Sequence, residues 1–544
     1  MPTSTAHRHV LVVRRLAWLA PALAFAVLAA LGTDTRAASH AGRAPAPAAV
    51  RAAAAGPAGD SAGDWPVAGQ NIANTRYAAA EHTLTAANVA GLRPRWVFTT
   101  GGSVSATPTV VSGTVYVPDW GGNLWAVDAA TGRRIWSRQV SEYTGSAADV
   151  SRLSPAYWNG MLISGDGGTT RPGHAGAIAF AADAATGRPL WHTTVDDDPA
   201  AIVTASPVVA DGVAYVGVSS RAELVPAVPS FRGSVVALDA ATGGLLWQTR
   251  MVPPGYTGGA VWGSTPVVDR ARGLLYVGVG NNYTVPPGVC VTPVEILCTP
   301  QSPDNHIDSV LALRLTDGSI AWSRPTRAAD TWTLFTDLGP DFDFGSAPNL
   351  FTAEVDGRPT ELLGIGQKSG TYWALDPATG AVVWQTHAGP GGEYGGIEWG
   401  TATDGRRIYL AIANSDHVPT VIRSASGHTS VTTGGFWAAL DAGTGRILWQ
   451  TADPYGALAY NFVSAAADVV YVGSLAAHGD TMLALDAATG EFRWRFASGG
   501  AVLGGAAVVD GTVYWGSGYH TLAIGLPYDG SNNKLYAFSL PGRA

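Results

Sequence analysis

The chain has 544 residues, of which 47% are hydrophobic and only 14% are charged, and it contains 68 glycines and 19 tryptophans. The hydrophobic content excludes a disordered chain, and glycine at this density excludes a helical bundle because glycine breaks helices. The net charge of −8, with no basic run beyond the first fifteen residues, argues against nucleic-acid binding. These features favour a large, turn-rich, mostly β protein with little surface charge.

The first 38 residues have the features of an export signal. A basic stretch containing the Arg14–Arg15 pair precedes an apolar run from Leu16 to Leu31, and small residues follow at positions 37 and 38. The run is short for a membrane span. We therefore expect residues 1–38 to be cleaved, with an uncleaved anchor as the alternative. The mature protein would then be periplasmic or extracellular, without a stable membrane span.

Two further features fit an exported protein. Residues 39–63 are rich in Ala, Pro and Gly without an apolar period, which predicts a flexible linker. The only cysteines, Cys290 and Cys298, fall in one predicted loop, where a disulfide is favoured and a metal site would need more ligands nearby. The chain has no CxxCH motif, so covalently attached c-type haem is not expected.

The main motif of the chain is a repeat in which a turn of the form Asp-x-x-Thr-Gly is followed by a short segment ending in Trp. An apolar strand ends in Asp, whose carboxylate can cap the turn, and Gly supplies the left-handed backbone that the turn needs. Seven copies of the repeat, one of them degenerate, occupy residues 126–136, 181–191, 237–247, 312–322, 374–384, 439–449 and 484–494.

An eighth unit is split between the two ends of the chain. Trp96 lacks the preceding turn, and its missing partner strand is found at Lys534–Phe538. Residues 109–136 show that one unit holds four short strands, which is the composition of a propeller blade. We therefore predict an all-β, eight-bladed β-propeller with tryptophan-docking repeats over residues ~90–541, within a domain spanning 64–541. The eight repeat tryptophans are expected to pack between blades.

Eight blades carrying this repeat resemble the quinoprotein alcohol dehydrogenases, as does the opening DWPVAGQNIANTRY (64–77). The segments GNNYTVPP (280–287), DSVLAL (308–313) and PDFDFGS (340–346) are similar to the polyvinyl-alcohol-dehydrogenase branch. This resemblance implies pyrroloquinoline quinone with Ca²⁺, or a lanthanide in its place. It also implies oxidation of primary, secondary or polymeric alcohols by hydride transfer to the quinone. Because no haem domain is present, electrons would pass to an external acceptor.

The resemblance implies five quinone-binding residues. They are Arg152 in VSRLSPAYWNG, Thr204 before ASPVV, Ser220 in SSRAEL, Trp262 in AVWGSTP as the flat floor, and Lys368 in GQKSGTYWALD at the dione edge. Trp262 lies outside the repeat, so blade packing does not explain it. Lys368 is one of only two lysines in a chain that has 31 arginines.

The resemblance also implies a metal site and a catalytic base. Glu223 and Asn281 would bind the cation together with Asp341, which would also be the base, and Asp343 lies where family members that use a trivalent ion carry an extra Asp. Alignment is loose there, so Asp330 and Asp337 remain alternatives for the base. For Glu223 and Asn281 the alternatives are an exposed loop carboxylate and a turn-forming amide.

Some positions depart from the family pattern. Residues 146–152 lack the adjacent cysteines that many members place beside the quinone, and Ser105 stands where methanol-oxidising members carry Glu. These departures keep a second hypothesis open, a non-catalytic propeller that acts as a protein-binding scaffold. A third is a carbohydrate-binding or hydrolytic propeller, which exposed aromatic residues such as Trp399 and Tyr394 would support.

Overall fold

The computed structural model describes residues 63–147, 149–167, 176–222, 229–263, 265–289, 302–327, 330, 332–334, 339–392, 394–519 and 530–542. Residues 1–62, and with them the signal and nearly all of the linker, lie outside the described residues, as do Glu223, Cys290, Cys298 and Asp337. Within the described ranges, no helix is long and apolar enough to cross a membrane.

Eight four-stranded antiparallel sheets form the predicted propeller, which confirms the fold class. Strand β1 (Tyr77–Ala78) precedes the ring, and β2 (Arg93–Thr99) belongs to the last blade. The first blade consists of β3 (Thr109–Val111), β4 (Thr114–Pro118), β5 (Asn123–Asp128) and β6 (Arg134–Gln139), and the second of β7 (Ala156–Trp158), β8 (Met161–Gly165), β9 (Ala177–Asp183) and β10 (Pro189–Asp196). The third consists of β12 (Val208–Ala210), β13 (Val213–Ser220), β14 (Ser234–Asp239) and β15 (Leu245–Arg250), with β11 (Ala201–Ile202) added to β13. The fourth consists of β17 (Val267–Asp269), β18 (Leu274–Gly278), β20 (Ser309–Arg314) and β21 (Ile320–Pro325).

The other four blades follow the same order. The fifth blade consists of β23 (Asn349–Val355), β24 (Arg358–Gly366), β25 (Thr371–Leu375) and β26 (Val382–His387), and the sixth of β28 (Ala402–Thr403), β29 (Arg407–Ile412), β32 (Phe436–Asp441) and β33 (Ile447–Ala452). The seventh consists of β34 (Ser464–Ala466), β35 (Val469–Gly473), β36 (Met482–Asp486) and β37 (Phe492–Phe496). The eighth consists of β38 (Ala507–Val509), β39 (Thr512–Tyr519) and β40 (Gly530–Ser539) together with β2. Small additions are the strand pairs β16 (Thr257–Gly258) with β19 (Asn282–Thr284), β22 (Ser346–Ala347) with β27 (Trp399–Gly400) and β30 (Thr420–Arg423) with β31 (Thr429–Thr432), the short helix α1 (Ser141–Thr144) and a 3₁₀ turn at Val89–Gly91.

The ring closes as the sequence predicts. Strand β2 pairs antiparallel with β40, so that Trp96 lies opposite Ala537 and Thr99 opposite Lys534. The first strands of successive blades contact one another and form the inner wall of the ring. Joining the two chain ends in one sheet removes the open edges that an unclosed array of blades would present.

The repeat tryptophans dock between blades, which confirms that they are structural. Seven donate from Nε1 to a backbone carbonyl of the following blade at 2.9–3.1 Å, namely Trp96, Trp136, Trp191, Trp247, Trp322, Trp449 and Trp494. The turn glycine of the next blade lies against the ring. A methyl group at Gly490 would come 2.5 Å from Cε3 of Trp449, and the backbone there is left-handed, with φ of +72°. Glycine therefore serves both the turn and the docking, and the pattern alone predicts only the first role.

The segment Trp65–Ala78 runs along the inner wall of the ring. Its backbone forms hydrogen bonds of 2.8–2.9 Å with the first strand of six of the eight blades, and Glu81 then accepts a 2.7 Å hydrogen bond from the backbone of Gly511 in a seventh. Arg76 of this segment is fully buried, donates to the carbonyl of Val463 and lies over the ring of Phe462 at 4.8 Å. The segment thus satisfies inner-strand edges that would otherwise stay unpaired.

The order of strands decides where side chains can meet. Because neighbouring strands are antiparallel, the segment entering the first strand of a blade and the loop after its second strand lie at the same end of the ring. Every described residue of the predicted site occupies one of these positions. Arg152, Thr204, Trp262, Asp341 and Asp343 precede first strands, whereas Ser220, Asn281 and Lys368 end or follow second strands.

Candidate functional site

Four of the predicted residues form one buried polar centre. Asn281 donates from Nδ2 to Oδ1 of Asp341 at 2.8 Å, and Nζ of Lys368 lies 3.0 Å from Oδ2 of Asp341 and 2.9 Å from Oδ1 of Asp343. The Asp341 and Asp343 side chains are 7% and 1% exposed, and that of Lys368 is 14% exposed. A single lysine therefore neutralises part of the charge of two carboxylates taken out of water.

The backbone around this centre is fixed by local hydrogen bonds. Lys368 donates from its backbone N–H to the carbonyl of Asp343 at 3.1 Å. Gln367 donates from Nε2 to the carbonyl of Phe342 at 2.7 Å, and its Oε1 accepts from Nε1 of Trp373 at 3.1 Å. The turn after β24 and the Asp341–Asp343 segment are thereby held together, which positions the lysine between the two carboxylates.

Trp262 lies beside the same centre. A methyl group at Gly280 would come 3.0 Å from Oδ2 of Asp343 and 3.1 Å from Nε1 of Trp262, so only glycine leaves room for both neighbours. The carbonyl of Trp262 accepts a 2.9 Å hydrogen bond from Oγ1 of Thr204, which also lies 2.5 Å from Oγ of Ser219. Thr204 and Trp262 are therefore brought together, as the predicted site requires.

Arg152 reaches the site from the second blade. Its guanidinium lies 4.4 Å from the ring centroid of Trp399. Trp399 is only 8% exposed, so its interpretation as an exposed carbohydrate-binding aromatic is wrong. Tyr394 is half-buried. Because Trp399 lies outside the repeat, as Trp262 does, its sequence position already distinguished it from the docking tryptophans.

Ser220 ends its strand just before the site. Its Oγ lies 3.4 Å from the hydroxyl of Tyr283 and accepts from the backbone of Ala222 at 3.0 Å. The ring of Tyr283 packs near Phe231. Ser220 is fully buried, and the residues that follow Ala222, including Glu223, lie outside the described residues.

A second carboxyl pair lies behind the centre. Burial raises the pKa of Asp308 well above its ordinary value, and the charges of Asp330 and Asp343 raise it further, while Arg327 opposes them. Burial also raises the pKa of Asp330, against the hydrogen bond that it shares with Asp308. Both directions favour the protonated form, more strongly at Asp308 than at Asp330. Asp330, an alternative for the base, is thus engaged with Asp308.

Three of the described residues carry oxygen atoms that could bind a cation. Asp341, Asp343 and Asn281 present oxygen atoms of the kind that hard cations prefer. Both carboxylate oxygens of Asp343 are buried and lack a well-aligned hydrogen-bond donor in the described part of the chain, although Lys368 is close. Within that part, no group of three or more His, Cys, Asp or Glu residues could hold a metal ion. The predicted third acidic ligand, Glu223, is not among the described residues.

A cavity of about 250 Å³ adjoins Asp341. Trp332, Pro340 and Phe342 contribute apolar surface, while Gly391, Gly392 and the exposed Asp416 lie around the same space. The cavity is thus lined both by Asp341 of the polar centre and by an exposed residue, and its size suits a small organic molecule or one unit of a longer chain.

Several site residues have no counterpart in the sequence prediction. Tyr460 and Tyr519 are fully or almost fully buried near Arg152. Burial raises the pKa of Tyr460 well above its ordinary value, the charge of Glu398 adds to this rise, and the charges of Lys368 and Arg152 oppose it. Tyr460 precedes the seventh blade, Tyr519 belongs to the eighth and Arg152 precedes the second, so no local motif encodes their grouping.

Comparisons with known proteins identify the family to which the chain is similar. Residues 65–390 match the family described as glucose/ethanol/alcohol dehydrogenase, beta-propeller domain, and residues 435–540 match outer membrane protein assembly factor BamB. The polyvinylalcohol dehydrogenase of Sphingopyxis sp. (strain 113P3) is 31% identical over 85% of this chain and 74% of its own length. That of Pseudomonas sp. is 30% identical over 88% and 77%.

Solved structures show the same fold. The quinohemoprotein alcohol dehydrogenase of Comamonas testosteroni superposes with a TM-score of 0.68 at 23% identity, covering 88% of this chain and 81% of that one. A europium-containing methanol dehydrogenase superposes with a TM-score of 0.67 at 20% identity, covering 88% and 99%.

Proposed function

Because the chain belongs to the polyvinylalcohol-dehydrogenase-like branch of the quinoprotein alcohol dehydrogenases, we propose that it is an exported enzyme that oxidises alcohols. Its substrates are secondary and primary alcohols, polymeric ones included, and it passes the electrons to an external acceptor. The observation that carries the proposal is the contact network of Asn281, Asp341, Asp343 and Lys368. A purely structural propeller has no need to bury two carboxylates around one lysine, since such a pair contributes little to stability.

The residues present fit the family's cofactor, pyrroloquinoline quinone. Nε1 of Trp399 is a buried donor without an acceptor in the described part of the chain, and Arg152 adds a cation over the same ring. In our proposal Arg152, Thr204, Ser220 and Trp262 hold the quinone, and Lys368 lies at its reactive edge. When bound, the quinone supplies the hydride acceptor that no protein side chain provides.

Asp341 takes the proton of the substrate hydroxyl in this proposal. It adjoins the cavity, and a carboxylate within hydrogen-bond reach of a substrate hydroxyl can accept its proton. Asn281 fixes one carboxylate oxygen and Lys368 the other, so the group is oriented before the substrate arrives. Asp343 is the second carboxylate of the centre and shares the charge of Lys368.

The proposed cation ligands are Glu223, Asn281 and Asp341. Ca²⁺ accepts six to eight oxygen ligands, and a trivalent lanthanide is favoured where more carboxylates are close. The position of Asp343, 1% exposed beside Asp341, supports a lanthanide as the alternative ion. The europium-containing relative in fold is consistent with this choice.

The cavity favours a substrate with apolar and hydroxyl-bearing faces. Its aromatic residues, Trp332 and Phe342, can pack against the methylene groups of an alcohol. The names of the two relatives that are 30–31% identical point to polyvinyl alcohol as such a chain.

The proposal is tested by reconstitution of the purified mature protein. Pyrroloquinoline quinone is added with Ca²⁺ or with La³⁺, cofactor uptake is followed by calorimetry, and dye reduction is followed with secondary alcohols, diols and polyvinyl alcohol. We expect uptake and alcohol-dependent reduction. Absence of uptake with either ion would refute the proposal and favour a non-catalytic protein-binding scaffold.

Two variants locate the chemistry. Asp341→Asn should still bind the quinone but lose at least about 100-fold in kcat, since general-base catalysis contributes about that factor or more. Asp211→Asn is the matched control, because Asp211 pairs with Arg270 at an exposed position where ion pairs contribute little. Equal activity of Asp341→Asn and wild type would exclude Asp341 as the base.

A further inference from the structure

The sixth blade carries a hairpin between its second and third strands, β29 and β32. Strands β30 and β31 form the hairpin, and β30 lies against the outer strand β33. The backbone N–H of Arg423, the last residue of β30, donates to Oε1 of Gln450 at 3.1 Å, and Gln450 is a buried residue of β33. The hairpin is therefore attached to the outer edge of its blade.

The base and one face of the hairpin are buried. Asn414, which is fully buried, donates from Nδ2 to the carbonyls of Val418 and Gly434 at 3.0 and 3.1 Å, and its Oδ1 accepts from the backbone of Val418 at 2.9 Å. Ile422 of β30 is 4% exposed and packs in the same core cluster as Ile447 of β33. These contacts fix the position of the hairpin on the blade.

The other face of the hairpin is apolar and exposed. Val421 and Val431 lie directly opposite each other in the strand pair and are 68% and 66% exposed. Among the described residues, no large hydrophobic side chain is more exposed. The solvent face of an antiparallel pair is normally polar. An exposed apolar pair beside a groove is a feature of a binding surface.

Such a groove, with a volume of about 810 Å³, lies between the hairpin and the outer parts of the fifth and sixth blades. Its volume is within the range of sites that hold organic ligands. Its lining mixes aliphatic, hydroxyl-bearing and cationic side chains, among them Val421, Leu448, Thr429, Thr444, Arg423 and Arg446. Aliphatic surface suits methylene groups, and hydroxyl and guanidinium groups form hydrogen bonds with hydroxyl groups. The groove therefore suits an uncharged hydrocarbon chain that carries hydroxyl groups along its length.

The same insertion borders the cavity of the proposed active site. Asp416, just before β30, lies at the cavity beside Asp341, whereas Arg423 at the end of β30 lines the groove. The two residues are seven positions apart, so the chain between them spans at most about 23 Å, at about 3.3 Å per residue. A carbon chain with bonds of about 1.5 Å advances about 2.5 Å per two-carbon unit, so about ten units reach from one site to the other.

We propose that this groove is an accessory site for a polymeric alcohol, which holds one part of the chain while another part enters the cavity beside Asp341. The inference rests on the proposed function, because it requires that polymeric alcohols are substrates of that cavity. Holding the chain at a second site raises the local concentration of its hydroxyl groups at the first.

The kinetic test uses the reconstituted enzyme with the double variant Val421→Ser, Arg446→Ser. For polyvinyl alcohol much longer than ten units, KM should rise about tenfold, the loss expected when an apolar contact and a hydrogen-bond donor are removed. For isopropanol, kcat and KM should stay within about twofold of wild type, because so small an alcohol does not reach the groove. The matched control is Val97→Ser, since Val97 is also exposed, at 49%, but lies in the eighth blade. Its KM for the polymer should not change.

Chain length gives a second readout. In the wild-type enzyme, KM expressed per hydroxyl group should fall once the chain exceeds about ten units, the length that spans both sites. This fall should be absent in the double variant. If the double variant does not fold, as judged by circular dichroism, Thr429→Trp takes its place, because it fills the groove from an exposed position.

Binding to the apoprotein separates the groove from the chemistry. Calorimetric titration with polyvinyl alcohol should show binding that the double variant weakens about tenfold. Polyacrylate, which carries carboxylates on the same carbon backbone, is the comparison ligand. Tighter binding of polyacrylate than of polyvinyl alcohol would identify an anion site and refute the inference.

The outcomes differ for the two proposals. An enzyme that takes up no quinone but binds the polymer through Val421 and Arg446 refutes the proposed function and leaves the groove as a polymer site. An enzyme that oxidises isopropanol, while the double variant has an unchanged KM for the polymer, refutes the inference alone. So does an equal rise in KM for the polymer and isopropanol, or a wild-type apoprotein that does not bind the polymer.

Discussion

Replacing Lys368 by Met should reveal how much the buried centre depends on one cation. Nζ lies 3.0 Å and 2.9 Å from the carboxylates of Asp341 and Asp343. At an effective dielectric constant of about 20, each such attraction amounts to about 5–6 kcal/mol before desolvation is subtracted. Because removal of one partner leaves buried charge unpaired, we expect the apoprotein to lose about 3–5 kcal/mol of unfolding free energy at pH 8.

The assay is urea unfolding of the apoprotein followed by tryptophan fluorescence. The chain offers a matched control in its only other lysine, Lys534, which donates to Oγ1 of Thr99 at 2.9 Å near the surface. Lys534→Met should change the unfolding free energy by less than about 1 kcal/mol. The deficit of Lys368→Met should shrink towards pH 4, where protonation neutralises the carboxylates left behind. A loss below about 1 kcal/mol at pH 8, or one that does not vary with pH, would refute the charge argument.

Two further predictions concern stability. Because the folded-state pKa of Asp308 is raised, the folded protein binds more protons than the unfolded chain, and stability is lost as pH rises from about 4 through that pKa. Asp308→Asn should flatten this decline in urea titrations, and an unchanged pH slope would contradict the raised pKa. Gly490→Ala should lower the free energy of unfolding by about 2–4 kcal/mol, because its methyl group would come 2.5 Å from Trp449. Gly427→Ala, at a position with φ of +86° and open space around it, should lower it by only about 1 kcal/mol. Equal losses in thermal unfolding would exclude the ring contact as the cause.

The fold follows from the sequence because each blade is built by local signals. The turn after Asp128 illustrates this, since Oδ1 of that residue accepts from the backbone and hydroxyl of Thr131 at 2.8 and 2.7 Å. Trp136 then marks where the outer strand meets the next blade. Such signals span about ten residues, so the pattern predicts both the number of blades and the closure of the ring.

The site is predictable only where the chain resembles relatives. Asn281, Asp341, Asp343 and Lys368 were proposed on that basis, and the structure brings all four together. The carbohydrate-binding hypothesis requires Trp399 to be exposed, but the residue lies in β27, which pairs with β22, and is buried. That pairing joins two loops more than fifty residues apart, and no periodicity in either loop encodes it.

The segment Trp65–Ala78 and the pairing of β2 with β40 have a consequence for how the chain folds. In an open repeat array the stability is a sum over neighbouring units, and folding can begin anywhere and spread. Here the segment Trp65–Ala78 pairs with strands from most of the ring, and β40 completes a sheet begun by β2 more than four hundred residues earlier. Contacts of such sequence separation slow folding and couple the units. The blades should therefore unfold together in a single transition, and a destabilising substitution in one blade should lower the stability of all of them.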